Sequence, residues 1–289
     1  MSSFQFNTEE GTYPVKVHIT PALSTLSLNA SQQTNEVDRN TTLILLNALG
    51  VTRNKYQKFI EGLSAKGFTV FSADYPCCGE NKPTIKKRID YDYNHLVTDF
   101  IPKLINKAQT KYPDNRIILV GHSLGGHIAT LYSASSGQPF IGIATGNVHY
   151  KNWSDRRGQL RVLSAVTAIQ ILLKIYGYLP GYKIGFGDKE AKTLMQQWCQ
   201  TALTGTFKFM TIPLTSKDSK GLYFNIEGDH FAPMTSMQGL ANLCAKPKIV
   251  SVKLEDNLLA TKGNPHSIWV KQPTPIIDSL CRHLTFLDR

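Results

Sequence analysis

The chain has little cysteine. Its five cysteines among 289 residues are an odd number, and Cys77 and Cys78 are adjacent. Such a set is no disulfide framework and argues for a reducing, cytoplasmic compartment. None of the five has metal-ligand spacing, so no metal is expected, and nothing calls for an organic cofactor. Residues 1–30 lack the charged start, apolar run and small-residue cleavage site of a secretory signal. Long apolar runs are missing as well. The longest, Val162 to Leu173, is broken by Ser164, Thr167 and Gln170 and falls short of the ~20 residues that a membrane span needs. No membrane span is expected. Acidic residues are in the minority, which leaves a net charge of +11, but the cations are dispersed apart from Lys86-Lys87-Arg88 and Arg156-Arg157. A solvated surface, without a nucleic-acid partner, accounts for that pattern. What remains is a globular chain, 42% hydrophobic, long enough for one large α/β domain with an insertion. The oligomeric state is not legible.

The chain is organised around Ile117-Ile118-Leu119-Val120-Gly121-His122-Ser123-Leu124-Gly125-Gly126. Four aliphatic residues read as a strand buried on both faces, and a small-residue helix, His127 to Ser136, follows. The sharp turn between them needs glycine two positions before and after Ser123. It exposes one hydroxyl at a helix N-terminus, where the Leu124 N–H faces any negative charge developing on a bound carbonyl oxygen. These residues resemble the nucleophile elbow of the α/β hydrolases. The resemblance implies a mostly parallel eight-stranded sheet flanked by helices, with a helical cap inserted after the sixth strand.

The order of elements agrees with that expectation. Val15 to Ile19 and Thr25 to Leu28 read as antiparallel edge strands, and Thr42 to Leu46 as the first inner strand. The loop after it, Asn47-Ala48-Leu49-Gly50, carries Asn-Ala where the family usually has His-Gly. By the resemblance it supplies a second oxyanion N–H, from Leu49 or, failing that, Ala48. Helix Arg53 to Lys66 places Tyr56, Phe59, Ile60 and Leu63 on one face, with Gly67 as its cap. Strand Phe68 to Tyr75 leads into Pro76-Cys77-Cys78-Gly79, which resembles the superfamily's Asp-x-x-Gly-x-Gly loop with Asp74 at the strand end. Cys77 and Cys78 are a rival nucleophile without a neighbouring base. A long helix is expected from Asp90 to Lys111, interrupted by Pro102, and a buried strand from Phe140 to Gly146.

Residues 150–215 change in character: aromatics and arginines accumulate, with no parallel strand among them. They form the expected cap, with residues 1–149 and 216–289 as the core. Helix Leu160 to Tyr176 is apolar around much of its circumference, which fits packing on the core along an acyl pocket better than contact with lipid. The stretch from Gly177 through Gly187 and the following Trp198-Cys199 resemble the cap of a group of mostly uncharacterised bacterial predicted α/β hydrolases, with the first Trp of their Trp-x-x-Trp-Cys helix replaced here.

Strand Gly221 to Gly228 runs into Asp229-His230-Phe231-Ala232-Pro233, which resembles the superfamily's acid loop with Asp229 as the acid. Glu227 is the runner-up, and Asp218, before the strand, is less well placed. Lys248 to Leu254 is the last strand, and the loop beyond it holds His266, where catalytic histidines of this superfamily lie. His122 and His127 are fixed beside the elbow, His230 shares a loop with the acid, and His283 lies in the C-terminal helix, Pro275 to Leu287. The order Ser123, Asp229, His266 is that of the fold. The expected activity is hydrolysis of a carboxylic ester, in the manner of a carboxylesterase or lipase, through an acyl-enzyme on Ser123, with a small ester or acyl compound as substrate. The alternatives are an acyltransferase with the same triad and a non-catalytic binding protein.

Overall fold

A computed structural model describes residues 2–23, 40–185, 187–259 and 263–288. Among the described residues ten strands appear: β1 Ser2–Thr8, β2 Gly11–Thr20, β3 Thr41–Leu46, β4 Thr69–Ser72, β5 Arg116–His122, β6 Phe140–Ile143, β7 Leu179–Pro180, β8 Lys189–Glu190, β9 Lys220–Ile226 and β10 Lys246–Val252. Eight of them form one sheet in the order β1-β2-β4-β3-β5-β6-β9-β10, while β7 and β8 make a separate two-residue ribbon. The β1–β2 and β2–β4 pairs are antiparallel and the others parallel. Every residue of β3, β4 and β6 is buried, as a parallel sheet covered on both faces requires. One apolar cluster, containing Phe71, Leu104, Leu119 and Tyr223, fills one side of the sheet; the other holds Val70, Val120, Phe224 and Trp269.

The edge hairpin differs from expectation. Its outer strand is β1, in which Phe4 and Phe6 alternate with polar residues and point inward. The chain then turns through Glu9-Glu10, so Pro14 lies inside β2, opposite Gln5, rather than before a strand. Thr25 to Leu28 lies outside the described residues.

The long helix also starts later. Asp92 is its N-cap, accepting a 2.9 Å hydrogen bond from the His95 N–H. Asp90 instead accepts from the Thr193 N–H and hydroxyl at 2.9 and 2.6 Å, tying the core to the helix Lys192–Thr204. Pro102 does not break the helix. A π-helical stretch, Leu96–Phe100, precedes the α-helical Ile101–Lys111, and this wider turn accommodates a residue that lacks an N–H.

Between β6 and β9 stand the helix Arg156–Tyr176, the β7–β8 ribbon and the helix Lys192–Thr204. The first helix begins four residues earlier than Leu160. Asp155 caps its start by accepting from the Gly158 N–H, and Gly177, at φ +71°, ends it in the left-handed conformation. Only one face of this helix is buried. Val166, Ile169 and Leu173 join Leu179, Met195, Cys199 and Ala202 in a cluster of their own, on which Leu49 and Trp198 pack. The buried face thus packs mainly on other parts of the same inserted segment, with Leu49 at its margin, rather than on the core as expected.

Candidate active site

Parallel strands β5, β9 and β10 bring their carboxyl ends to one edge of the sheet, where open α/β sheets form their sites. Ser123 follows β5 directly, at φ +52° and ψ −111°, a region that a non-glycine residue enters only at a cost. The neighbouring glycines are needed for space. A Cβ on Gly121 would lie 2.2 Å from the Gly125 carbonyl oxygen, and one on Gly125 would lie 2.0 Å from that of Leu46. The elbow is therefore wedged between its own helix and β3.

Asp229 lies three residues past the end of β9 and is buried. His266 is on the short helix Pro265–Ile268, beyond β10, rather than in open loop, and the Asn264 side chain caps that helix by accepting from the His266 N–H at 3.0 Å. The three side chains meet. The Ser123 hydroxyl donates to His266 Nε2 at 3.0 Å, and His266 Nδ1–H donates to Asp229 Oδ2 at 2.8 Å. Burial tends to raise the Asp229 pKa, but the facing His266 and the N–H groups of Phe231 and Ala232 more than offset it, so the carboxyl lies below its ordinary value. The other candidate acids lie elsewhere: Glu227 points to solvent, and Asp218 lines a groove at the opposite edge of the sheet.

Two backbone N–H groups, those of Leu124 and Leu49, are expected from the sequence to bind an oxyanion. Leu124 opens the helix Leu124–Ser136, so its N–H has no intrahelical acceptor. The Ala48 N–H donates to the Tyr56 hydroxyl at 2.9 Å, whereas the Leu49 N–H has no hydrogen-bond partner among the described residues. The Ala48 N–H is thus already engaged, and among the described residues that of Leu49 is not. The unusual Asn47 is held by its own contacts: its amide donates to the Ala73 carbonyl and Asp74 Oδ1 at 3.2 and 3.3 Å, and its carbonyl accepts from the Tyr75 hydroxyl at 2.7 Å. Asp74 also accepts from the N–H groups of Arg53 and Glu80 at 2.6 and 3.1 Å, which locks the two loops together.

Behind the elbow runs a connection that no sequence pattern revealed. From Ala48 it passes through the Tyr56 hydroxyl to His122 Nδ1 at 2.8 Å, and His122 Nε2 contacts the His266 carbonyl at 2.8 Å. A carbonyl only accepts, so Nε2 carries the proton and Tyr56 donates to Nδ1. Burial pushes the His122 pKa down to about 3, which keeps the ring neutral. His127 is also neutral, pushed down to about 4 by burial, and its ring contacts the Tyr93 hydroxyl at 3.0 Å and the Gly146 carbonyl at 2.5 Å. His230 is exposed and lends only its carbonyl, to Trp153 Nε1 at 2.9 Å.

The cysteines do not compete as nucleophiles. Burial pushes Cys77 up to about 12 and, with the nearby Glu190 carboxyl, raises Cys78 well above its ordinary value, so neither is a thiolate near neutral pH. The segment between β6 and β9 meets the loop after β3 here: a Cβ on Gly50 would fall 1.9 Å from Gly187 Cα. Glu190 is buried close by, and neither carboxyl oxygen has a hydrogen-bond partner among the described residues. Among those residues no group of three or more His, Cys, Asp or Glu side chains is placed to hold a metal.

No curated protein sequence matches the chain. Residues 41–148 match a family model described as the alpha/beta hydrolase fold. Solved structures extend the likeness over nearly the whole chain. A monoglyceride lipase from Saccharomyces cerevisiae, a soluble variant, is 13% identical with a TM-score of 0.64, covering 98% of this chain and 94% of that one. The monoacylglycerol lipase of Paleococcus ferrophilus is 15% identical with a TM-score of 0.58, covering 93% and 99%. A carboxylesterase structure from Nitrososphaera gargenis is 14% identical with a TM-score of 0.58, covering 98% of both chains. With its sheet order and its strand-elbow-helix core, the chain has the α/β-hydrolase fold.

Proposed function

We infer that the chain is a serine hydrolase that cleaves carboxylic esters through an acyl-enzyme on Ser123. One observation carries the reading: Ser123, His266 and Asp229 are joined by hydrogen bonds of 3.0 and 2.8 Å while the serine occupies a strained elbow. In the proposed reaction His266 takes the Ser123 proton as Oγ attacks the ester carbonyl, and Asp229 holds the ring and stabilises the imidazolium. The tetrahedral oxyanion lies between the Leu124 and Leu49 N–H groups, each donor contributing about 3 kcal/mol. His266 then protonates the departing alcohol, and water attacks the acyl-enzyme by the same route reversed. The role needs no metal or organic cofactor. That several similar folds are named lipases and carboxylesterases supports an ester over an amide substrate.

The test is intact mass after treatment with a fluorophosphonate. A single adduct on the wild type and none on Ser123→Ala is the expected result. Labelling that survives Ser123→Ala, or a folded wild type that takes up no label, overturns the assignment.

A further inference from the structure

We propose that the cap is a peripheral docking surface for an anionic lipid membrane, formed by the outer face of the helix Arg156–Tyr176. Its 21 residues extend about 31 Å, and among the described residues it is the one helix long and apolar enough to cross a bilayer by length and composition. It does not need to cross one. The face bearing Val166, Ile169 and Leu173 is packed against the rest of the cap. Along the opposite face Leu160, Ile171 and Ile175 are 60%, 52% and 68% exposed, with only Ser164, Thr167 and Ala168 between them, also exposed. Tyr182 and Ile184, at 53% and 44%, continue the apolar surface past the helix end.

Charge selects the partner. From Arg156 to Gly187 the sequence carries Arg156, Arg157, Arg161, Lys174 and Lys183 and not one Asp or Glu. All five cations are exposed, and among the described residues none has a carboxylate partner. Lys183 instead donates to the Tyr176 hydroxyl at 2.7 Å. Asp155 at the helix start and Asp188 beside Tyr182 are the flanking acids. An apolar strip fringed by five unpaired cations against these two acids is a composition that inserts shallowly at a lipid headgroup boundary, the cations meeting anionic headgroups. A second copy of the chain would bring the same five cations against themselves. Docking in this way puts the bilayer one helix thickness from Leu49, whose side chain packs on the inner face of the same cluster.

Co-sedimentation with vesicles tests the proposal without using catalysis. Wild-type protein should pellet with phosphatidylcholine vesicles containing roughly one third phosphatidylserine, not with phosphatidylcholine alone, and high salt should release it. Paired Ile171→Glu and Ile175→Glu should weaken partitioning by more than about tenfold. Arg157→Gln and Arg161→Gln should each weaken it about fivefold. Far-UV circular dichroism checks that the variants fold, and Ser123→Ala should partition as the wild type does, which separates docking from the proposed hydrolysis. Failure of the wild type to pellet with the anionic vesicles overturns the proposal, as does binding that neither the apolar nor the cationic substitutions change. A lipid-free dimer that Ile171→Glu dissolves would show that a second copy covers this face, and would overturn it too.

Discussion

Glu190 offers a pH-dependent stability that a single substitution should erase. Its carboxyl is 1% exposed on the ribbon strand β8, with no hydrogen-bond partner among the described residues. Burial pushes its pKa from 4.5 up to about 8, with the Asp188 carboxylate adding to the rise and the Asp188 backbone opposing it. Around it stand Cys78, Tyr75 and Tyr91, all raised well above their ordinary values by burial, so none of them titrates below pH 8. The folded state thus holds the Glu190 proton over a range where the unfolded chain has released it. The contribution is complete below pH 4.5 and is lost as pH rises through about 8. Between pH 5 and pH 8 the wild type should shed about 3–4 kcal/mol from this group alone, as the folded state keeps a proton that the ionised unfolded carboxyl has released. Glu190→Gln keeps the shape and removes the proton. Urea unfolding of both proteins across that range measures the difference, and the stability of Glu190→Gln relative to wild type should climb by the stated amount as pH rises. Parallel curves would refute the reasoning, because they would mean that Glu190 ionises in the folded protein as freely as in the unfolded one.

Two further outcomes test the site. Asp229→Asn should fold with the histidine misoriented, lowering kcat for esters by about 10³–10⁴-fold. Because the Asp229 pKa is lowered, the wild type's stability advantage over that variant should be present above pH 4 and disappear as the solution is acidified below it, which denaturation at acid pH will check. Tyr56→Phe leaves the Ala48 N–H and His122 Nδ1 without partners. It should cost about 1–3 kcal/mol in urea unfolding for each orphaned group, and lower kcat more than it changes KM.

Local necessity made the elbow legible. Only glycine fits at Gly121 and Gly125, and the aliphatic run before them has no other use, so strand, turn and helix could be placed together. Asp229 and His266 followed from resemblance to the superfamily's acid loop and its loop after the last strand, in the chain order of that fold. The first hairpin was misplaced because Ser2–Thr8 alternates over only two phenylalanines, a weak signal beside the bracketing prolines of Val15 to Ile19. Pairing that depends on distant contacts left no trace at all. Nothing in the spacing of Tyr56 and His122 announces that they join one loop to another, and nothing in the composition of Glu190's neighbourhood announces that its carboxyl is sealed from water. The exposure of Ile171 and Ile175 was equally hidden, since a helix apolar on nearly all sides gives no sequence cue to which side faces outward.

The contact between Gly50 and Gly187 bears on how such a cap is inherited. Because the two main chains touch with no side chain between them, the seam between lid and body is stitched at a point that records almost nothing about the substrate. One added methyl at either glycine would force the two segments apart. A segment grafted here from another protein of this fold would therefore take or fail on whether it brings a bare backbone to this spot.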